Sequence, residues 1–179
     1  YEACEWRDKQ GNFWLYGGDN SNYDNLSNLW EYQPSINQWT WIKGPGAIYN
    51  QSPVYGTQGV PSINNTPGAR AWAVATWVDT SGNFWLLGGR DAYGSDFGDL
   101  WKYEVATNEW AWMKGLSSLN FQGVYGSLGV PSAANRPGAR SETNATWTDK
   151  NNNLWLFGGS GYDHSGVHGL LNDVWKYDI

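Results

Sequence analysis

The sequence predicts an all-β fold built from one unit that occurs three times. The repeated segments are residues 11–18 (GNFWLYGG), 82–89 (GNFWLLGG) and 152–159 (NNLWLFGG). Trp6, Trp77 and Trp147 precede these segments at one fixed distance, so the period is 71 and then 70 residues. Long repeats of this kind are typical of proteins that array one supersecondary unit. Short apolar runs between turn residues predict strands, and nothing indicates a long amphipathic helix.

The first half of the second unit predicts two strands. Strand one is expected over residues 69–78, where the small Ala71, Ala73 and Ala75 alternate with other side chains, as suits an inner strand at a crowded position. Strand two is expected over residues 84–87, an apolar run that a Gly-Gly doublet ends. The Thr-Ser-Gly-Asn sequence between the two strands predicts a tight turn.

The second half of the same unit predicts two further strands. Strand three covers residues 100–105 and carries Leu-Trp-Lys-Tyr, and strand four covers residues 109–113. Trp110 and Trp112 share one face of strand four because strand side chains alternate with a period of two. Four short strands per 70-residue unit, each unit with few long-range partners of its own, predict a blade of a β-propeller.

The composition excludes several classes of function. The chain has 179 residues, enough for one domain with its own core, and its 14 Trp and 11 Tyr recur at equivalent repeat positions, which favours packing roles. Its net charge is −6 and its 11 basic residues are dispersed, so no nucleic-acid partner is expected. No apolar run is long enough for a membrane span. Cys4 is the only cysteine, which excludes an internal disulfide.

Three motifs recur in order along the first two units. A Gly-Gly doublet is followed twelve residues later by Trp in NLWEY (28–32) and DLWKY (99–103), then by Asn-x-Trp-x-Trp (37–41 and 108–112), and PGAR (67–70 and 137–140) precedes the next unit. Together they resemble the kelch repeat over essentially the whole chain. The resemblance implies a kelch-type β-propeller with blades of four antiparallel strands. The units are longer than the usual kelch repeat of about 50 residues, and they are fewer than the six or seven blades of a kelch ring.

The number of blades bears on how the ring is completed. The first unit begins inside strand one, near residues 4–8, and the third ends at Ile179, after strand three. We therefore expect a single propeller segment over residues 1–179 with about three blades, the last incomplete, and with repeats at approximately 1–67, 68–137 and 138–179. Propellers usually have four to eight blades. Either a longer chain supplies the others, or copies assemble, two of them making six blades.

Strand parity predicts that the long connections share one face. The links between units and the loops between strands two and three lie at the same end of an antiparallel blade. These segments are residues 44–67, 115–137, 19–28, 90–99 and 160–172. Loops on a rigid scaffold commonly bind ligands, and the kelch resemblance implies use of such a face. We expect a non-enzymatic binding or assembly module that contacts a protein partner, or further propeller blades, through this face.

Five residues are candidates for the binding site. Tyr55 and Tyr125 occupy equivalent places in two repeated links, either as stacking platforms for a ligand or as pins that hold the link on the blade edge. Arg70 and Arg140 enter the inner strands near the central axis. They are suited to an acidic ligand, or alternatively to loop carbonyls and a Trp ring. Trp72 has no Trp equivalent in the other units, which makes it a candidate for exposure.

No catalytic, metal or cofactor site is predicted. His164 and His168 lie beside Asp163 in the third two–three loop, where Gly166 and Gly169 disfavour a helix and a solvated loop is expected rather than a metal site. The chain lacks a Gly-x-Ser-x-Gly elbow, a phosphate loop and a zinc motif. Both histidines share one loop, so they cannot surround a central copper of the kind found in kelch-like oxidases.

Two alternative functions and a location are left open. One alternative is an extracellular, lectin-like carbohydrate-binding module that uses Tyr55, Tyr125 and Trp72, with glycans as partners. The other is a structural element of a surface layer or filament. The N-glycosylation patterns begin at Asn25, Asn50, Asn64 and Asn144, and they either are used or arise by chance in an Asn-rich chain. With the low Lys content they favour a secreted or cell-surface oligomer. The absence of an initial Met predicts a processed product or a fragment.

Overall fold

The computed structural model describes residues 1–72 and 74–179, with the side chain of Thr143 also left undescribed. The described residues contain eleven strands and no helix. Blade 1 consists of β1 (Cys4–Arg7), β2 (Phe13–Tyr16), β3 (Leu29–Gln33) and β4 (Gln38–Lys43). Blade 2 consists of β5 (Ala75–Val78), β6 (Phe84–Leu87), β7 (Leu100–Glu104) and β8 (Glu109–Lys114). Blade 3 consists of β9 (Arg140–Thr148), β10 (Leu154–Tyr162) and β11 (His168–Tyr177).

Each blade is an antiparallel meander, which confirms the predicted all-β, propeller-like class. The strand orders are β1-β2-β3-β4, β5-β6-β7-β8 and β9-β10-β11, so the first two blades have four strands and the third has three. The three sheets do not close into a ring. The described residues include no helix that is long and apolar enough to cross a membrane.

The strand bounds predicted for the second unit hold except at its inner strand. β6 has the predicted bounds, and β7 and β8 differ from theirs by one residue. β5 begins only at Ala75, and before it Ala71 makes an isolated bridge with Arg90. Trp72 interrupts the extended chain because its φ of 70° lies in the left-handed region. Ala73, predicted to alternate with its neighbours here, lies outside the described residues.

The predicted loop over residues 160–172 is wrong, because this segment is a β-hairpin. β10 and β11 extend into it and pair Ser160 with Leu170, Gly161 with Gly169 and Tyr162 with His168. Gly161 lies so close to the start of β9 that a Cβ atom there would stand 2.3 Å from the carbonyl oxygen of Ala139. A glycine at position 161 thus permits this close approach of strands.

The core lies between blades. One buried cluster joins Trp6, Trp14 and Tyr16 of blade 1 to Phe84 and Trp110 of blade 2. A second joins the other face of blade 2 to blade 3, through Trp77, Trp85 and Leu87 against Leu154 and Leu156. The indole nitrogens repeat one contact, since Trp6 donates to the carbonyl of Trp85 at 3.0 Å and Trp77 to that of Trp155 at 2.8 Å. Blade stacking buries six of the fourteen tryptophans, at positions 6, 14, 77, 85, 101 and 110.

Candidate binding face

The antiparallel strand order brings the long connections to one end of the blades. We call this end the long-loop face; it comprises residues 17–28, the first link (44–72), residues 88–99, the second link (115–139) and the hairpin tip at 163–167. The opposite end carries tight turns. In each turn between the first and second strands of a blade an aspartate, at position 8, 79 or 149, accepts hydrogen bonds from a backbone N–H four residues on and from a tryptophan indole six residues on.

The tips of the three two–three loops share one turn. The Oδ1 atoms of Asn20, Asp91 and Asp163 each accept backbone N–H groups from two and four residues further on, at 2.7 to 3.0 Å. These bonds lower the pKa of the Asp163 carboxyl, with the N–H of Val167 as the largest cause. The turn fixes each tip, and that of blade 2 presents Tyr93, which is 84% exposed.

Arg70 is fully buried in an ion pair. Its guanidinium binds both carboxylate oxygens of Asp99, at 2.7 and 3.1 Å, and donates to the carbonyls of Gly88 and Pro67. Its Cζ atom lies 4.2 Å from the centre of the Phe97 ring. All of these partners belong to blade 2 or its entry, so Arg70 ties the end of the first link to the blade that follows it.

Arg140 repeats the arrangement in blade 3. It binds the two oxygens of Asp173 at 2.8 and 2.9 Å and donates to the carbonyls of Gly158 and Gly138. Burial alone would raise the pKa of the Asp173 carboxyl, but the hydrogen bonds and charge of Arg140, with the hydroxyl of Tyr125, hold it below its ordinary value.

Tyr55 and Tyr125 complete these two clusters. Their hydroxyls donate to the same aspartates, Tyr55 to Asp99 at 3.0 Å and Tyr125 to Asp173 at 2.5 Å. Burial raises the pKa of both phenols, that of Tyr125 to about 12, so both remain protonated donors at neutral pH. The rings pack on tryptophans of the third strands, with centroids 5.3 Å apart for Tyr55 and Trp101 and 4.9 Å for Tyr125 and Trp175.

The placement of Tyr55, Tyr125, Arg70 and Arg140 favours roles in holding the links on the blades over roles in binding a ligand. With exposed fractions of 0% and 1%, Arg70 and Arg140 are enclosed by their own aspartates, which corrects the expectation of free guanidinium groups near the axis. The sequence reasoning missed Asp99 and Asp173. A signal for them exists, since each stands two residues before the repeated Trp of its third strand. In blade 1 the same place is held by Asn28.

Trp72 is half-buried beside a charged cluster that sequence reasoning also missed. Its ring lies 5.8 Å from the Arg90 guanidinium carbon. Asp96, 1% exposed, accepts hydrogen bonds from Arg90 at 2.8 Å and Ser141 at 2.9 Å and contacts the His168 ring nitrogen at 3.0 Å. Residues from blades 2 and 3 thus meet here. The cluster has no counterpart in blade 1, where Asp19 and Asn25 replace Arg90 and Asp96, and no repeat signal could have revealed it.

A cleft of about 300 Å³ opens on the long-loop face. Its lining includes Pro53 and Tyr55 of the first link, together with Tyr93 and Leu119. Phe97 contributes to its lining and is buried, whereas Leu119 is 38% exposed. Of the predicted binding residues, the cleft includes only Tyr55, whose hydroxyl is already engaged with Asp99.

The four glycosylation candidates differ in accessibility. Asn25 is 1% exposed and its side-chain amide donates to the carbonyl of Arg90 at 2.8 Å, so the folded chain cannot accept a glycan there, which corrects that expectation. Asn50 is half-buried and binds the backbone N–H of Asn25. Asn144 is half-buried on β9. Asn64 is exposed on the first link.

The two histidines contact different residues. His168 pairs with Asp96, whereas the exposed His164 packs against Tyr125 with ring centroids 5.5 Å apart. Across residues 1–72 and 74–179, no group of three or more His, Cys, Asp or Glu side chains is placed to hold a metal ion.

Comparison with known proteins concerns the fold alone. No protein-family model and no curated protein matches the chain. Among solved structures, the one titled "Structure of YjhT" is similar, with a TM-score of 0.55 and 14% sequence identity. The match covers 99% of this chain and 52% of that one, so the chain spans about half the length of its structural neighbour. The likeness agrees with a propeller-like arrangement of blades.

Proposed function

We propose that the chain is a non-enzymatic binding module that contacts a protein partner through the long-loop face. The observation that carries this proposal is a set of exposed apolar side chains on this face. They are Tyr23 (69% exposed), Ile48 (61%), Tyr49 (46%), Tyr93 (84%) and Leu119 (38%). Exposed apolar surface of this kind marks protein interaction sites when it is not scattered singly.

The composition of the loops supports a protein partner. Residues 17–28, 44–53 and 90–99 are rich in Tyr, Asn, Ser, Gly and Asp. Tyrosine supplies large contact area at a low entropic cost, and short polar residues supply adaptable hydrogen bonds, as in antibody binding loops. The loop-tip turns hold these side chains in place, which reduces the entropy lost on binding.

The chemistry of the face supports binding rather than catalysis. Three of its arginines are held in ion pairs, Arg70 with Asp99, Arg140 with Asp173 and Arg90 with Asp96. A general acid or base has to be within reach of the proton that it transfers. The cleft is at the small end of the range for small-molecule sites, about 300 to 1,000 Å³, and suits a single anchoring side chain of a protein.

A paired substitution tests the proposal. The chain captures partners from extracts of its source, mass spectrometry identifies them, and titration calorimetry measures the purified partner's affinity. Tyr93→Ser combined with Leu119→Ser should weaken binding at least about tenfold, as expected for central interface residues. Ile36→Ser is the matched control, since Ile36 is 54% exposed in a turn at the opposite end. Unchanged affinity in the double variant, or loss in the control, contradicts the proposed face.

The carbohydrate alternative receives less support. Tyr55 and Tyr125 direct their hydroxyls to buried aspartates and pack their rings on tryptophans, and Trp72 lies beside Arg90. A sugar would have to displace these contacts before stacking. Binding of the wild-type chain to a glycan array would favour this alternative if a folded Tyr55→Ala variant no longer bound.

Assembly with further blades is a second candidate, favoured by the open faces of blades 1 and 3. In blade 1 the open face carries Phe13 (47% exposed), Trp30 (38%), Trp39 (53%) and Trp41 (52%), and in blade 3 it carries Trp147 (44%), Phe157 (43%) and Val174 (55%). Their counterparts in blade 2 pack against neighbouring blades. The coverage of 52% of the structural neighbour is compatible with two such segments in one ring. Light scattering would give a dimer mass for a ring of two copies, and a monomer mass would oppose it.

We extend the proposal to an extracellular or cell-surface location, and we retain the kelch assignment as a prediction. The exposed Asn64 supports the location, since its glycosylation pattern is accessible in the folded chain. A mass decrease on glycosidase treatment of the natural protein, absent in an Asn64→Gln variant, would agree with it. An unmodified Asn64 in the natural protein removes this support.

A further inference from the structure

The cleft on the long-loop face contains a carboxylate that pairs with no cation of the described chain. Asp91 lines the cleft and is half-buried. Its Oδ1 atom accepts the backbone N–H groups of Tyr93 and Ser95, at 2.9 and 2.8 Å. Arg90, its neighbour in sequence, pairs with Asp96 instead. Among the described residues Asp91 takes part in no ion pair and its Oδ2 atom accepts no hydrogen bond.

The same cleft offers aromatic surface. Three of its lining residues are aromatic, Tyr55, Tyr93 and Phe97, and Pro53 and Leu119 add aliphatic surface. Phe97 is buried, whereas Tyr93 is exposed, so its ring is accessible to a ligand. The face of an aromatic ring attracts cations. The cleft, of about 300 Å³, therefore combines one negative charge with a ring face and apolar walls.

This combination holds arginines elsewhere on the long-loop face. Arg70 binds Asp99 at 2.7 Å, and its Cζ atom lies 4.2 Å from the centre of the Phe97 ring. Arg90 binds Asp96 at 2.8 Å, and its Cζ atom lies 5.8 Å from the centre of a tryptophan ring. A guanidinium group suits both contacts, because its plane stacks on a ring while its N–H groups bind a carboxylate. The cleft presents the same two groups, and no arginine of the described chain lines it.

The charge of the long-loop face favours a cationic ligand. Its segments contain six aspartates and three arginines, and no lysine or glutamate. Two of these arginines are neutralised by Asp99 and Asp96. The remaining charge is negative, and it attracts cations to the face. A partner that covered the carboxylate of Asp91 with an apolar group would remove its hydration without compensation, which is costly.

We propose that this cleft binds an arginine side chain of the partner protein, an inference that rests on the proposed function of the long-loop face. The guanidinium group pairs with the Oδ2 atom of Asp91 and stacks on the ring of Tyr93. The aliphatic part of the arginine lies along Pro53 and Leu119. Arginine fits this site better than lysine, because an ammonium group is a strongly hydrated point charge that cannot stack and bind a carboxylate in one plane.

The test uses a blocked amino acid, N-acetyl-arginine N-methylamide, as the probe. Nuclear magnetic resonance titration of the isotope-labelled 179-residue chain should show saturable shifts of the amides at 91–95 and at Leu119, with an affinity in the millimolar range. The citrulline derivative has the same shape without the charge, and it should bind at least about fivefold more weakly. Equal affinities of the two, tighter binding of the lysine or leucine derivative, or no saturable shift overturns the proposal.

Two protein variants locate the site. Asp91→Asn should fold, because Asn20 accepts the same pair of backbone N–H groups at the equivalent tip of blade 1. It should lose the preference for the arginine derivative over the citrulline derivative. Asp163→Asn is the matched control, since it removes one charge from the same turn in blade 3 and does not line the cleft. Equal losses in the two variants would indicate unspecific attraction by charge and overturn the proposal.

The purified partner separates this inference from the proposed function. Asp91→Asn should weaken the partner at least about fivefold, because a charge-assisted contact is lost. If Tyr93→Ser with Leu119→Ser weakens the partner and Asp91→Asn does not, the long-loop face stands and the arginine anchor is overturned. If neither change weakens the partner, both the face and the anchor are overturned.

Discussion

β4 and β8 share a Trp-x-Trp-x-Lys pattern and have different surroundings. They read QWTWIK and EWAWMK, and both pair with their third strands in the same register. Trp39 of β4 is 53% exposed, whereas its equivalent in β8, Trp110, is 1% exposed. The sequence pattern therefore decides that a strand forms and which tryptophans share a face, but it does not decide whether they are buried.

The preceding blade makes the difference. Trp110 packs against Tyr16 and Trp6 of blade 1, with ring centroids 5.2 and 6.5 Å away. Trp39 contacts the ring of Tyr32 in its own sheet at 5.0 Å, and no ring of another blade among the described residues. A blade of this repeat thus carries an apolar face whose stability depends on a neighbour.

The largest expected effect on stability comes from replacing Trp110, or its blade 1 equivalent Trp39, by alanine. Trp110→Ala should lower the free energy of unfolding by about 3–5 kcal/mol, because it removes a buried indole and leaves a cavity between blades. Trp39→Ala should cost under about 1 kcal/mol, as surface substitutions usually do. Urea denaturation of the two variants measures both values.

Equal losses of unfolding free energy in Trp110→Ala and Trp39→Ala would contradict this comparison. That outcome would mean that the open face of blade 1 is covered in solution, and the loss at Trp39 should then depend on protein concentration. Thr40→Ala is a matched control, because Thr40 lies in the same strand on the other side of the pleat.

A smaller effect is expected from Asp99, whose equivalent in blade 1 is Asn28. Asp99→Asn should cost about 3 kcal/mol, because it leaves the buried guanidinium of Arg70 without its counter-charge. Asn28 instead binds both the N–H and the carbonyl of Gly46, at 2.9 and 2.8 Å. Asn28→Ala should therefore cost only about 1 kcal/mol. If denaturant titration finds Asp99→Asn as stable as the wild type, the ion pair adds nothing over an uncharged hydrogen bond.

The repeat made much of the fold predictable. The bounds of β6 follow from an apolar run stopped by a Gly-Gly doublet, and β8 follows from tryptophans at alternate positions. Both signals are local, and three copies reinforce them. The conformation of Trp72 has no such signal, because its positive φ depends on contacts such as the hydrogen bond from Glu142 N–H to its carbonyl, 70 residues along the chain.

The candidate site was less predictable than the fold. Two equivalent arginines beside repeated Pro-Gly-Ala sequences indicate importance, but their burial depends on aspartates 29 and 33 residues away. Asp96 brings Arg90, Ser141 and His168 together from two blades, and none of them recurs in all three units. Pairing between distant residues is set by tertiary packing, which spacing along one sequence does not encode.

The smallest expected effect is a change of stability with pH that arises from Asp173 in blade 3. Its folded pKa lies below the unfolded value of about 3.9, so its contribution to stability is complete above that value and is lost as the pH falls through the folded pKa. Unfolding of the wild type and of Asp173→Asn should therefore differ at pH 7 and converge in acid. Asp178→Asn is the control, since that carboxylate is exposed and pairs with Lys176. A difference that does not shrink in acid would show that Asp173 acts through its shape and hydrogen bonds, and the Arg140 pair would then contribute no charge-dependent stability.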